Sequence, residues 1–355
     1  MTNGLSGPRK QFLDVLRVLA TCAVVLMHVL TGATDVTDAS IMPEYRSLLL
    51  SVMDLVTWCV PIFLLISGYL FLNPERTLTY PVMIKKYCRR IALAILLFGV
   101  PYAASELVVA ERTFRIRMIP EALKMTLMGH TWSHMWYLYL ILFLYLITPL
   151  LKKVLRVLPV WGVAAVMAVI FLGSSVAPFL NKVLDVNSIP VLPDGGVYFL
   201  YYLCGYFFAV REVCVDKGRN VWLTAAVAVL ALGMILSRTL AGFSIQMAYN
   251  YPFTVLLAVL LFATGWNGGR DGAAPAARGK DRIHRIPWQE AGALSFAVYL
   301  VHPVYVNLLY KFVKITPFTV LEQCGVQSVA AGHVLLLFLL LVFSLLVLAL
   351  ATDSP

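Results

Sequence analysis

The stretch RKQFLDVLRVLATCAVVLMHV, residues 9–29, decides the fold. It is long and apolar enough to cross a bilayer as a helix, yet its apolar part carries three ionisable side chains. Asp14 lies one turn before Arg17, and His28 returns to within about 20° of the Arg17 face, about 16 Å further along the axis. Such groups are costly in a bilayer unless they face an interior cavity. The stretch therefore predicts a carboxylate and a guanidinium near one membrane surface and an imidazole near the midplane.

The composition indicates that this helix is one of many. Of 355 residues, 61% are hydrophobic and only 13% are charged, which is more apolar surface than a soluble protein of this length needs. The expected fold class is an all-α polytopic membrane protein with about ten transmembrane helices. The first apolar run shows no signal-peptide cleavage site after it and is expected to be retained. The predicted spans are 12–31, 48–72, 88–108, 134–151, 157–175, 196–211, 221–240, 251–267, 291–311 and 329–351.

The distribution of positive charge predicts the orientation of these spans. With a cytoplasmic N-terminus, 19 of the 28 Lys and Arg fall on the inside, which favours both termini in the cytoplasm. The net charge of +10 then lies beside anionic headgroups, so it does not indicate nucleic-acid binding. The whole chain, 1–355, is interpreted as one membrane domain. Within it, 268–290 is predicted to be a basic cytoplasmic loop, and the outer loop 106–134 could partly cover a site.

The first helix allows two interpretations. Arg17 could extend its side chain to the inner headgroups while His28 hydrogen-bonds another helix. Alternatively, neutral His28 acts as a general base near the midplane, and Arg17, held by Asp14, binds an anionic group that enters from the cytoplasm.

The second and third spans contribute two further motifs. In the second, Pro61 kinks the helix and Ser67-Gly68 supplies a hydroxyl and a close backbone approach, or simply a helix-packing surface. Before the third lies a basic cluster, which either anchors the helix at the membrane or clamps the phosphates of a nucleotide-like donor such as coenzyme A. The basic cluster comprises Lys85, Lys86, Arg89 and Arg90.

Aromatic and histidine side chains mark the fourth and ninth spans. His134 and Trp136 belong to a run that could form a membrane-interface belt or stack on sugar rings. His130 and His134 have the spacing of a helical zinc chelate, but no third ligand is evident, so no metal is predicted. In the ninth span, Tyr299 and His302 lie within an apolar run, where a structural histidine and a catalytic one are both reasonable.

Taken together, these motifs resemble the acyltransferase 3 family, which comprises bacterial integral-membrane O-acyltransferases that modify sugars of surface glycans. The resemblance spans nearly the whole chain, and the Arg-x10-His spacing is its most specific part. The matching stretches are Asp14-Val-Leu-Arg17 with His28; Val60-Pro61-Ile-Phe63 with Ser67-Gly68-Tyr69-Leu70; His134-Met-Trp136-Tyr137 with Tyr145 and Thr148-Pro149-Leu150; and Val298-Tyr299-Leu300-Val301-His302.

The resemblance implies a multi-pass protein of the bacterial cytoplasmic membrane with acyl-coenzyme A, expected to be acetyl-coenzyme A, as co-substrate and no bound cofactor. The acceptor would be a hydroxyl of a cell-surface or lipid-linked glycan. Arg17 and His28, with Asp14, become catalytic residues by the matching motif. The family's Arg-x-x-Arg is matched only as Lys86-x-x-Arg89, which keeps the charge but loses the bidentate fork of an arginine.

The mechanism implied by the resemblance begins with coenzyme A phosphates on the basic cluster and the thioester reaching past Arg17. His28 removes the proton of the acceptor hydroxyl or promotes acyl relay through another group. The sugar approaches near His134 and Trp136. Ser67 could stabilise the oxyanion or hold a transient acyl group, and His302 could orient His28 or act on the acceptor.

Two rival functions fit the composition. A transporter or flippase of a polysaccharide intermediate would also have about ten spans, kinked helices and embedded ionisable groups. The absence of a visible internal repeat and the bulky aromatics near the fourth span argue against it. A structural membrane subunit is the other alternative. Only the enzyme should depend on the basic cluster for a donor.

Overall fold

The computed structural model describes residues 11–36, 42–210, 217–239, 248–271, 288–325 and 328–352. Every regular element within these ranges is helical. Short π-helical turns at Met83–Cys88, Leu172–Val176 and Leu308–Val313 and a 3-10 turn at Ser133–Met135 adjoin the α-helices. The α-helices are α1 (Gln11–Val36), α2 (Met42–Val56), α3 (Cys59–Phe71), α4 (Tyr80–Val82), α5 (Arg89–Glu111), α6 (Met118–Leu127), α7 (Trp136–Val157), α8 (Val160–Phe171), α9 (Ala177–Leu184), α10 (Gly195–Val210), α11 (Lys217–Thr239), α12 (Pro252–Asp271), α13 (Trp288–Asn307), α14 (Pro317–Gln323) and α15 (Val329–Thr352).

The all-helical, multi-pass architecture is confirmed. Seven segments of the described chain are long and apolar enough to cross a bilayer, and three shorter apolar helices coincide with the predicted spans 196–211, 221–240 and 251–267. Helix α10 has 16 residues and reaches only about 24 Å, whereas α11 and α12 have 23 and 20 residues. The seven are Gln11–Val36, Tyr45–Phe71, Tyr80–Glu111, Ser133–Val157, Val160–Leu184, Trp288–Val313 and Ala330–Thr352.

The predicted loop 268–290 is helical at both ends. Helix α12 continues to Asp271 and α13 begins at Trp288. Residues 272–287 lie outside the described part of the chain.

Helices α3 and α10 pack backbone to backbone through two glycines. A Cβ at Gly68 would lie 2.0 Å from the carbonyl oxygen of Tyr202, and a Cβ at Gly205 would lie 2.2 Å from that of Leu65. Only residues without a side chain allow helices to approach this closely, and in a membrane such contact replaces the missing hydrophobic drive for association. The pair forms a rigid wall that holds Ser67 at a fixed position.

The outer loop predicted at 106–134 contains the end of α5 and the helix α6, and most of its residues are exposed. Its helix α6 runs back along α5, so that Thr126 touches Gly99 in the middle of α5, about 18 Å below the α5 end at Glu111. The turn that follows satisfies its backbone within the protein: the Thr126 carbonyl accepts the Tyr139 hydroxyl at 2.5 Å, and the Met125 carbonyl accepts the His130 amide at 2.8 Å. Such backbone is tolerated at membrane depth where protein or a water-filled cavity surrounds it. This descent carries His134 into the protein interior.

Candidate active site

A cavity of about 1280 Å³ lies between α1, α3, α5, α7 and α13. Its lining on α1 begins at Leu13 and ends at Asp35, a stretch of helix about 33 Å long. The cavity therefore follows α1 over a distance comparable to the thickness of a bilayer core. Its two ends are called here the Arg17 end and the Asp35 end.

Arg17 faces the cavity and is held from behind by Asp14. The Arg17 Nη1 atom lies 2.6 Å from Asp14 Oδ1, and the two side chains are 24% and 3% exposed. Asp14 is not part of the cavity lining, because Gly292 of α13 packs against it, 3.1 Å from Oδ1 to the Cβ that another residue would carry. The predicted pair is therefore present, with Arg17 available to a ligand and Asp14 orienting it.

Three histidines from three helical segments meet halfway along the cavity. The ring centroid of His28 lies 4.8 Å from that of His302 and 6.3 Å from that of His134, and the last two are 5.8 Å apart. His28 and His134 line the cavity, whereas His302 is fully buried behind them. We call these three residues the histidine cluster. The motif resemblance implied that His302 could orient His28, but nothing in the sequence predicted that His134 joins them.

Backbone hydrogen bonds fix the protonation of two members of the cluster. Nδ1 of His28 lies 2.9 Å from the Val24 carbonyl, and Nδ1 of His302 lies 2.9 Å from the Val298 carbonyl. Because a carbonyl only accepts, Nδ1 must carry the hydrogen in both rings, and in the neutral form Nε2 keeps its lone pair. His28 therefore presents a basic nitrogen, as a general base requires.

The neighbours of the cluster hold it in place. The Tyr299 hydroxyl donates to the His134 carbonyl, and the Tyr102 hydroxyl donates to the Leu300 carbonyl at 2.5 Å. Trp132 stacks on Tyr102 with centroids 4.2 Å apart and planes 2° apart. Since Trp132 and His134 follow the descending α6, these contacts secure the non-helical turn that brings His134 to His28.

Ser67 lies between the Arg17 end and the histidine cluster. It lines the cavity, and its hydroxyl interacts with the hydroxyls of Tyr137 and Tyr145 on α7. Tyr145 also lies within electrostatic reach of Arg17. The two tyrosines are functional candidates that sequence reasoning quoted in a motif without a role. Their spacing of eight residues leaves the two side chains about 80° apart on α7, so it gave only a weak signal that both face the same cavity.

The basic cluster is divided by the cavity. All four residues are exposed, but only Lys86 and Arg90 line the cavity, and Lys85 and Arg89 lie outside its lining. Lys86 and Arg90 are four residues apart and so lie close together on one side of the helical segment, the side that faces the cavity. The Arg90 guanidinium lies over the Phe296 ring at 4.9 Å, which directs it toward the cavity.

Arg76 is a fourth cation at this end, and the sequence did not single it out. Its guanidinium donates to the Leu70 carbonyl at 3.2 Å and to the Tyr87 hydroxyl at 2.5 Å, and it lies 4.9 Å from the centroid of the Phe71 ring. Lys152, itself 5% exposed, donates to the Asn73 carbonyl and so fixes the turn that precedes Arg76. The sequence signalled only a turn after a span, not the direction of this side chain.

At the Asp35 end, Trp136 lies among aromatic rings. Its ring centroid is 5.2 Å from that of Tyr198 and 5.8 Å from that of Tyr249. The Tyr249 hydroxyl lies 3.5 Å from the sulfur of Met27, the residue before His28. Burial raises the pKa of Tyr249 above its ordinary value, so its hydroxyl remains protonated at neutral pH.

No metal chelate is formed at the predicted pair. Residues 130–135 form a turn and a 3-10 segment instead of an α-helix, so His130 and His134 do not share a helical face. Within the described ranges, no three His, Cys, Asp or Glu side chains are grouped so that they could hold a metal ion.

The sequence model of the acyltransferase 3 family, described as an acyltransferase domain, matches residues 10–353. The chain belongs to the acyltransferase 3 family. No curated protein and no solved structure gives a match. The match confirms the resemblance seen in the motifs and covers nearly the whole chain.

Membership of the acyltransferase 3 family, together with the helical spans, makes the protein a multi-pass membrane protein of an acyltransferase family. It favours acyl transfer over the transporter and structural-subunit alternatives. Eight of the residues predicted for the site line the cavity: Arg17, His28, Ser67, Lys86, Arg90, His134, Trp136 and Tyr299. The other four, Asp14, Lys85, Arg89 and His302, lie outside its lining.

Proposed function

We propose that the protein is a membrane O-acyltransferase that moves an acyl group, acetyl in the simplest case, from acyl-coenzyme A to a hydroxyl of a cell-surface or lipid-linked glycan. One observation carries the proposal: a single cavity joins a cationic end to a basic imidazole nitrogen halfway along it. Polyphosphate recognition and general-base catalysis need these two features.

The cations at the Arg17 end support a polyanionic donor. Within the described chain, Arg76, Lys86 and Arg90 form no ion pair with a carboxylate, although all three line the cavity. Like charges at one end of a partly apolar cavity repel each other until an anion binds, and phosphates are suitable partners. Coenzyme A phosphates bound there would place the thioester toward Arg17 and Ser67.

The proposed orientation follows from the same charges. We place the Arg17 end at the cytoplasmic face of a bacterial cytoplasmic membrane, with all ten apolar helices as spans and both termini inside. The 19 Lys and Arg counted on that side of the 28 in the chain support this direction. The acceptor then approaches from the Asp35 end.

In the proposed reaction, Nε2 of His28 takes the proton of the acceptor hydroxyl as its oxygen attacks the thioester carbonyl. The carbon–sulfur bond breaks, and coenzyme A thiolate leaves and receives that proton from His28, so that an ester and a free thiol are formed. Ser67 and Tyr137 donate hydrogen bonds to the oxyanion. The hydroxyl partners of Ser67 are not bases, which favours oxyanion stabilisation over a covalent acyl-serine. His302 supports His28 from behind.

The function is tested by the ester-linked acetyl content of surface glycans in cells that have or lack this protein. We expect the acetyl esters to disappear in the deletion strain and to return with the wild-type gene. Unchanged acetyl content accompanied by altered glycan export would establish the transporter alternative instead.

Substitutions at neighbouring residues of the basic cluster test where coenzyme A binds. Arg90→Gln and Lys86→Gln should weaken coenzyme A binding about tenfold or more, because a hydrogen bond to a charged group contributes about 1.5–3 kcal/mol. Arg89→Gln and Lys85→Gln are matched controls with the same change of charge outside the cavity, and should leave Kd within about twofold. Isothermal titration of the protein in nanodiscs with coenzyme A measures all four. Equal weakening within each pair would contradict the assigned docking site.

A further inference from the structure

The Asp35 end of the cavity is built differently from the Arg17 end. Trp136, Tyr198 and Tyr249 form a closed set of rings, with centroids 5.2, 5.8 and 6.4 Å apart. They come from α7, from α10 and from the turn before α12. Trp136 and Tyr249 line the cavity, and all three rings are half-buried. We call these three residues the aromatic triad.

The aromatic triad adjoins the histidine cluster. The Tyr249 hydroxyl touches Met27, which directly precedes His28, and Trp136 follows His134 by two residues. A ring held against the triad would therefore lie beside the Nε2 atom of His28, at the side opposite the donor cations.

The polar groups around the triad are one amide, two hydroxyls and two carboxylates. Asn250 donates to Asp194 at 3.3 Å, and Asp194 lies within electrostatic reach of Tyr198. Asp35, Thr31 and Ser133 line the cavity at this end.

Positive charge is confined to the other end. Among the described residues, four cations line the cavity: Arg17, Arg76, Lys86 and Arg90. All four lie on the donor side of the histidine cluster. An anionic group at the triad would thus meet carboxylates without a balancing cation, and its desolvation would not be compensated.

We propose that the aromatic triad is the acceptor subsite, and that the unit it holds is a sugar ring without an anionic group. This inference rests on the proposed function. The carbon-bound hydrogens of a pyranose form an apolar face that packs on aromatic rings, while its hydroxyls donate to carboxylates and accept from an amide. The hydroxyl that points to His28 loses its proton to Nε2 and gains the acyl group. Sugars with a carboxylate, sulfate or phosphate on the reacting ring are disfavoured, because the described lining offers them no cation at this end and Asp35 and Asp194 repel them, weakly since both are exposed.

The first test compares acceptors that differ only in charge. The protein in nanodiscs receives acetyl-coenzyme A and a panel of octyl glycosides, with gluco, galacto, manno and N-acetylglucosamine rings, each paired with its uronate or sulfate counterpart. Ester formation is followed by mass spectrometry. We expect at least one neutral glycoside to be acylated, at a rate at least tenfold above its charged counterpart. Equal or faster acylation of charged glycosides, or acylation of none in the neutral panel, overturns the proposal.

The second test locates the subsite. Trp136→Leu should raise the KM for the neutral glycoside about tenfold and leave the KM for acetyl-coenzyme A unchanged, and Tyr198→Leu, a second variant, should act in the same direction. Trp161→Leu removes an indole that is 76% exposed on α8 and serves as the control. Wild-type acceptor KM in folded Trp136→Leu and Tyr198→Leu protein would refute the assignment.

A further assay uses envelope glycans of the source cells as acceptors. Its outcome distinguishes failure of the subsite proposal from failure of the proposed function. If acetyl-coenzyme A is consumed with envelope glycans but only anionic glycosides are acylated, the subsite proposal fails and the acyltransferase stands. If acetyl-coenzyme A is neither bound nor consumed with any acceptor, the proposed function itself fails.

Discussion

Replacing His28 by glutamine is expected to lower kcat for acyl transfer by about 10³-fold, within the range of about 10²–10⁴ that general acid–base catalysis contributes. Glutamine is polar but has no basic lone pair with which to take the acceptor proton. Because His28 lies about 16 Å along α1 from Arg17, coenzyme A binding should be unchanged. Initial rates with acetyl-coenzyme A and titration with coenzyme A on the same preparation measure both quantities.

His130→Gln is the matched control for this variant. His130 is exposed on the turn that follows α6 and lies outside the cavity lining, so its replacement should leave kcat at the wild-type value. A folded His28→Gln protein that retains more than about a tenth of the wild-type rate would assign the base to another residue.

Replacing Gly68 by alanine is expected to unfold much of the protein population at temperatures where the wild type is stable. The new Cβ would lie 2.0 Å from the Tyr202 carbonyl oxygen, which is backbone and cannot move aside by a rotamer change. Overpacking commonly costs about 1–3 kcal/mol, and a backbone clash between two helices belongs at or above the upper limit. Thermal unfolding in detergent, followed by the loss of monodisperse protein, measures the shift.

Gly233→Ala distinguishes this contact from a general effect of removing a helical glycine. No atom lies within 4 Å of the Cβ that alanine would place on Gly233. Alanine favours helix over glycine by about 1 kcal/mol, so the unfolding temperature should stay the same or rise slightly. If Gly68→Ala unfolded at the same temperature as the wild type, α3 and α10 would be able to separate without cost. That result would contradict the rigid wall described above.

The parts of the site that the sequence predicted depend on geometry within one helix. Arg17 and His28 share a face of α1 because eleven residues nearly complete three turns, and Asp14 reaches Arg17 for the same reason. The apolar runs likewise predicted the positions of the seven long apolar segments and of the three further apolar helices, since length and composition are local properties.

The remaining parts depend on how separate segments meet. His134 was expected at the outer edge of a span, but the descent of α6 along α5 brings it to His28. Arg76 is directed by Phe71, Tyr87 and the Lys152 contact to Asn73, none of which follows from its position after a span. The family motif paired Lys86 with Arg89, whereas in the structure Lys86 shares the cavity lining with Arg90.

The length of the cavity along α1 has an electrical consequence for the proposed reaction. The polyanionic part of the donor stays at the Arg17 end, and only the acyl unit travels toward the Asp35 end while a proton returns to the departing thiolate. Formally, the acyl group moves outward as a cation while one proton moves inward. The two charges cancel, so no net charge crosses the bilayer. One uncompensated charge would change the free energy by about 2.3 kcal/mol per 100 mV. Membrane voltage therefore neither drives nor opposes the transfer, and the free energy of the thioester is its sole source of work.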